Sequence, residues 1–253
     1  MQQSETTTPL EKLKRGYSKL LGVDPQVFGR PGFVLVETVL REQPEWANWI
    51  LPLWLFKLQS TVICSVAPRY AARARAAFAE WQPPSLLTPE ALAPARWVID
   101  APPADTLEWV QAELLYYPHA EPPQQSETHH VEQLHAGAEG SERLLRTFDG
   151  GIFAVRAPDG TLAAHAAIKN KGILRELAVG TDEPYRRTGM GKAVVSHAVA
   201  HIVGAGQVAV YWPDSLSNRA SYALASSVGF EKVAEMCFCC YPEPDWPGFE
   251  VPA

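Results

Sequence analysis

The chain is 253 residues long, enough for one large domain or two ordinary ones, each with its own core. Hydrophobic residues make up 47% and charged residues 20%, which excludes wholesale disorder. A formal net charge of -6, with no basic run suited to a phosphate backbone, argues against nucleic-acid binding and mildly favours cationic partners.

Residues 1–9 are short and polar, without the apolar stretch of a signal peptide, and predict a disordered tail. Leu10, Leu13, Tyr17, Leu20 and Leu21 recur at helical spacing, so 10–21 predicts an amphipathic helix. The β-branched runs 32–37 and 60–66 predict strands. The longest apolar run, 49–56, is broken by Pro52 and ended by Lys57, too short to span a bilayer, and no membrane partner is expected. After Pro68 an Ala- and Arg-rich segment to Trp81 predicts a helix, 82–94 a Pro-rich loop, and 105–117 a second amphipathic helix. No catalytic pattern lies in 10–118, which reads as an additional N-terminal α/β domain. Residues 119–128 are polar, rich in Pro and Gln and without periodicity, and predict a linker ending at a solvated pair, His129 and His130.

The second half, 129–253, alternates elements. A helix is predicted over 131–147, and a hairpin over 152–169 turning at Pro158-Asp159-Gly160. A strand follows over 173–179, a helix from Met190 to about 203, a strand over 208–212 and a helix over 217–228. One or two strands close the chain over 229–241. An antiparallel hairpin joined to strand–helix–strand units gives an α/β (α+β) fold, a mixed sheet flanked by helices. Cys64, Cys237, Cys239 and Cys240 are too few and uneven for a disulfide framework and fit reduced thiols in a cytoplasmic protein. His197 and His201 have metal-ligand spacing but lack a third ligand, so no metal is expected.

The informative stretch joins the 173–179 strand to the next helix through Arg186-Arg187-Thr188-Gly189-Met190-Gly191-Lys192. Glycines at a helix start let unpaired amides approach an anion, with the helix dipole aiding. The nucleotide P-loop pattern fails, because Arg186 stands where its first glycine belongs and Ala193 where its hydroxyl belongs. The dinucleotide fingerprint fails at Val194. The remaining pattern, Arg/Gln-x-x-Gly-x-Gly/Ala after a strand, resembles the pyrophosphate loop of the GNAT superfamily of acetyl-coenzyme A-dependent N-acetyltransferases. A second signature, Asn218-x-x-Ser221-x-x-Leu224 followed by Gly229-Phe230, also resembles that family.

The resemblance covers roughly half the chain and implies a GNAT-like, mostly antiparallel sheet, with acetyl-coenzyme A as co-substrate and an amine as acceptor. It implies that the loop residues 186–192 hold the pyrophosphate, and that Leu177, Ala178 and Val179 pair the pantetheine arm and polarise the thioester carbonyl. Asn218 and Ser221 would lie beside that arm. The tyrosine that many members use to protonate the departing thiolate falls at Ala225, leaving Tyr222 as its substitute or as a packing residue. Glu176 is the candidate base, against a surface pair with Arg175, and Asp214 is a weaker one. The acceptor is a small-molecule or peptide amine, and a homodimer is the prior assembly. A non-catalytic acyl-coenzyme A sensor or interaction module with the same fold is the alternative, and a longer acyl group a third reading.

Overall fold

The computed structural model describes residues 7–46, 49–79, 81, 83–99, 107–125, 128–138, 141–213 and 215–242. In chain order these form α1 (Pro9–Leu21), β1 (Gly32–Glu37), β2 (Pro44–Trp46), β3 (Trp49–Leu58) and β4 (Thr61–Val66). Then come α2 (Ala71–Ala77), α3 (Pro89–Val98), β5 (Glu108–Tyr116), β6 (Glu132–Leu134) and α4 (Glu142–Thr147). The remainder is β7 (Ile152–Arg156), β8 (Leu162–Lys171), β9 (Leu174–Thr181), α5 (Met190–Gly204), β10 (Val208–Tyr211), α6 (Arg219–Val228) and β11 (Glu231–Pro242).

Three elements depart from the sequence reading, each for a local reason. Residues 105–117 were expected as a helix, yet 108–116 is a strand, in which Ala112 and Leu114 alternate into the core and Tyr116 pairs with Val210. Apolar residues there satisfy both periods, and the long-range ladder decides between them. The helix expected over 131–147 is cut to α4, because Gly137 takes φ 90°, a left-handed conformation that ends any helix. Inside the supposed loop 82–94 the helix α3 starts early. Thr88 caps it by accepting from the Ala91 amide, and Pro89 sits in its first turn.

The described residues divide into two compact units, Met1–Tyr17 with Leu114–Val233, and Ser18–Glu113 with Ala234–Ala253. In the second unit β1 runs parallel to β4, while β4–β3 and β3–β11 are antiparallel. Leu53, Leu55, Cys64, Phe78, Leu86, Cys237 and Cys239 pack together there.

In the first unit the strand order is β5-β10-β9-β8-β7-β6, antiparallel throughout except for the parallel pair β9–β10. Mixed pairing with helices on the sheet is the expected GNAT-like class. One face carries α5 and α6 over Leu177, Val194, Val195, Val199, Ile202 and Phe230. Against the other face α4 packs Leu144, Leu145 and Phe148 on Ile152, Ala154 and Ala167. Helix α5 is apolar on most of its circumference, which suits a helix laid along a sheet.

Candidate active site

The site grows from the way β9 and β10 part. Their register pairs Leu174 with Val208, Arg175 with Ala209 and Glu176 with Val210, and goes no further. Strand β9 continues to Thr181, paired with β8 on its other side. Alternation fixes which backbone groups face the gap. The Asp182 amide donates to the Ala163 carbonyl on β8, and the Val208 amide donates to the Ile173 carbonyl from β10. Even-numbered residues of β9 therefore point their N–H and C=O at β8, and odd-numbered residues point theirs toward β10. Leu177 still falls opposite the end of β10, whereas Val179 and Thr181 lie beyond it. The Thr181 carbonyl accepts from Arg186 Nε at 3.2 Å. Val179 thus presents an amide and a carbonyl to an open cleft.

That cleft has a volume of about 1130 Å³ and runs along Val179, Gly180 and Thr181 to the glycine loop. The loop is held by local contacts. Thr188 Oγ1 donates to the Tyr185 carbonyl at 2.6 Å, and Arg187 adopts φ 66°, a left-handed conformation costing a residue with a Cβ about 1–2 kcal/mol. Gly189 follows at φ 91° as the N-cap of α5, with no side chain capping the helix. Ala193 is the first residue whose amide donates back, to the Gly189 carbonyl. The preceding amides stand at the positive end of a helix of 15 residues. Arg186, Arg187 and Lys192 line the cleft beside them, together with the acidic Asp182 and Glu183.

The residues expected at the site divide into three groups. Val179, Arg186, Arg187, Gly189, Gly191, Lys192, Asn218 and Ser221 line the one cleft. Thr188 and Met190 belong to the loop but not to its lining, Met190 packing against the core. Leu177 is buried in that core and Ala178 pairs with Ala167 on β8. Asn218 is also the N-cap of α6, its Oδ1 accepting from the Ser221 amide at 3.1 Å.

Neither expected proton-transfer group lines the cleft. Glu176 sits at the fork as the last residue of β9 paired with β10, and its carboxylate meets Lys171 Nζ at 2.8 Å rather than Arg175. Strand alternation puts it on the face opposite Leu177 and α5. Tyr222 packs against the core from α6. Ala225, on the same helix, is buried there. Asp214 lies outside the described residues.

The places of Tyr211 and His129 were not foreseen. Tyr211, at the end of β10, lines the cleft and packs its ring 6.3 Å from Phe230. Its signal in the sequence was only its place at the end of a predicted strand. His129, read as solvated, brings its Nε2 to 3.0 Å from the Thr188 carbonyl. That contact spans 59 residues and no local pattern announces it. Among the described residues no group of three or more His, Cys, Asp or Glu is arranged to hold a metal, and no helix is long and apolar enough to cross a membrane.

The helix-start amides of the glycine loop and the open edge at Val179 thus share one cleft, a cradle suited to an anion. Any side chain on Gly191 would enter this cradle. Its Cβ would stand 3.0 Å from Thr181 Oγ1 and 3.5 Å from Leu224.

Residues 107–230 match the profile of the Acetyltransferase (GNAT) family. No curated protein matches the chain. Among solved structures, a protein from Novosphingobium aromaticivorans described as an acetyltransferase of the GNAT family is 18% identical, with a TM-score of 0.47 over 71% of this chain and 83% of that one. A GCN5-related N-acetyltransferase from Kribbella flavida is 22% identical, with a TM-score of 0.41 over 58% of this chain and 62% of that one, so less than two thirds of its length is spanned. A protein from E. coli described as the N-acetyl transferase YhhK, solved bound to coenzyme A, is 16% identical, with a TM-score of 0.32 over 44% of this chain and 98% of that one. Over residues 107–230 the chain carries an acetyltransferase domain of the GNAT family.

Proposed function

We propose that the protein is an N-acetyltransferase that moves an acetyl group from acetyl-coenzyme A to a primary amine by direct attack. The observation that carries this reading is the parting of β9 from β10 after Glu176 and Val210, with the open amide of Val179 beside the amides of the glycine loop. When bound, the co-substrate supplies a thioester, whose carbonyl carbon is the electrophile.

Each task falls to a named group. The amides at the start of α5, with Arg186, Arg187 and Lys192, hold the pyrophosphate. Val179 pairs the pantetheine arm along the open edge, and its N–H polarises the carbonyl. Glu176 accepts the proton of the attacking amine, directly or through water, from its place at the fork beside Lys171. Tyr211, the phenol among the lining residues, returns a proton to the departing sulfur as the C–S bond breaks. The thiolate is a good leaving group, with a pKa near ~8.5 by analogy to cysteine, so this last task is the lightest.

The acceptor is a small-molecule or peptide amine, and the net charge of -6 suits a cationic one. Four free, buried cysteines suit a reducing, cytoplasmic setting. A second reading, a non-catalytic acyl-coenzyme A sensor, draws on Tyr222 packing against the core instead of the cleft.

Turnover separates the two readings. Incubation with acetyl-coenzyme A and a panel of primary amines should release free coenzyme A thiol and an acetylated amine of matching mass. Binding with no acyl transfer to any amine would leave the sensor.

A further inference from the structure

The side chain that reaches the glycine loop from farthest away in sequence is His129. Its Nε2 lies 3.0 Å from the Thr188 carbonyl, and a Cβ placed on Gly189 would come within 3.2 Å of the same nitrogen. The ring therefore abuts the two residues that lead into α5. A carbonyl can only accept, so Nε2–H is the donor of this bond.

The Thr188 carbonyl belongs to the peptide whose amide is that of Gly189. Fixing the oxygen on one side of this peptide plane fixes the N–H on the other side. Arg187 at φ 66° is in a left-handed conformation that costs a residue with a Cβ, so the loop needs contacts to hold it there. Thr188 Oγ1 supplies one through the Tyr185 carbonyl and Arg186 Nε another through the Thr181 carbonyl. Both of those are local in sequence. His129 adds the long-range one.

We propose that His129 is a positioning residue for the phosphate-binding loop. Its Nε2–H holds the Thr188 carbonyl so that the amides leading into α5 are set toward the pyrophosphate before it arrives. This rests on the acetyl-coenzyme A reading of the cleft. His129 makes no contact with reacting atoms in this account. It lowers the ordering cost that the loop would otherwise meet on binding.

The test is calorimetric titration of coenzyme A into the wild type and three variants, with the thermal midpoint of each as a folding control. His129→Ala should weaken binding about three- to tenfold, the worth of one hydrogen bond, with little change in midpoint. His129→Phe, which keeps a ring but not the donor, should bind as weakly as His129→Ala. His129→Gln, whose amide N–H reaches about as far as Nε2, should return to within about twofold of the wild type. Wild-type-like binding by both His129→Ala and His129→Phe overturns the proposal, as does a His129→Gln variant no better than either. Failure of the wild type to bind coenzyme A overturns the cofactor reading itself, and this proposal with it.

Discussion

Gly191 and Thr181 approach so closely that a Cβ on the glycine would stand 3.0 Å from the threonine hydroxyl oxygen. Gly191 lies in the first turn of α5, where an alanine is conformationally favoured. Gly191→Ala should therefore leave stability unchanged or slightly raised. The added methyl group enters the cradle, so coenzyme A affinity should fall on the order of tenfold, about 1.4 kcal/mol. Parallel thermal melts and titrations check the two effects separately. A variant that binds as the wild type does would move the anion site away from this turn.

The C-terminal elements were legible because each carries a local signature. Gly189 and Gly191 after an apolar run mark a strand–loop–helix unit, and the helix expected over 217–228 forms as α6, with Asn218 Oδ1 accepting from the Ser221 amide at its start. Strand 108–116 was not legible, because Trp109, Ala112 and Tyr116 recur at helical spacing while Ala112, Leu114 and Tyr116 alternate as on a strand, and only pairing with β10 settles the matter. The partner of Glu176 was hidden for a similar reason. Arg175 is adjacent in sequence but points to the other side of the strand, while Lys171 lies across a tight hairpin and meets the carboxylate at 2.8 Å. His129 was read as solvated because its partner is 59 residues away.

Gly16, on α1, packs on Leu174 at the start of β9. A Cβ there would lie 2.7 Å from Leu174 Cδ2 and 2.8 Å from Cδ1. Alanine gains up to about 1 kcal/mol in helix propensity, whereas overpacking costs about 1–3 kcal/mol. The clash involves a branched side chain that is itself buried, so it should dominate. Gly16→Ala should lower the urea midpoint by the equivalent of about 1 kcal/mol. A raised midpoint would mean that α1 yields easily at this contact.

The proposed acid and base can be separated by conservative changes. Glu176→Gln should lower kcat by about a hundredfold or more with little change in coenzyme A affinity, since the carboxylate lies outside the cleft lining. Tyr211→Phe keeps the packing on Phe230 and should lower kcat about tenfold, at the small end for an acid because the leaving group is good. Tyr222→Phe should stay within about twofold of the wild type. A reversed pattern for the two tyrosines would return the acid role to Tyr222.

His165 on β8 lies over Gly180, its Nε2 2.9 Å from where a Cβ on that glycine would stand. Burial pushes its imidazole pKa below the usual 6.5, an effect partly opposed by Asp182. Below about pH 6.5 the unfolded chain takes up a proton that the folded protein resists, so this stability is complete above that pH and lost as pH falls below it. The denaturation free energy of the wild type should thus drop between pH 7 and pH 5.5. His165→Gln should show a shallower slope over the same interval, whatever its absolute stability. Equal slopes would mean that the ring charges freely in the folded state.

Joint binding of acetyl-coenzyme A by the fork of β9 and the glycine loop can be measured by calorimetric titration of that compound into the wild type and a Gly189→Trp, Gly191→Trp double variant. One equivalent should bind to the wild type and none to the double variant, with both proteins folded by circular dichroism. Absence of binding to the wild type, or undiminished binding to the double variant, would contradict the account.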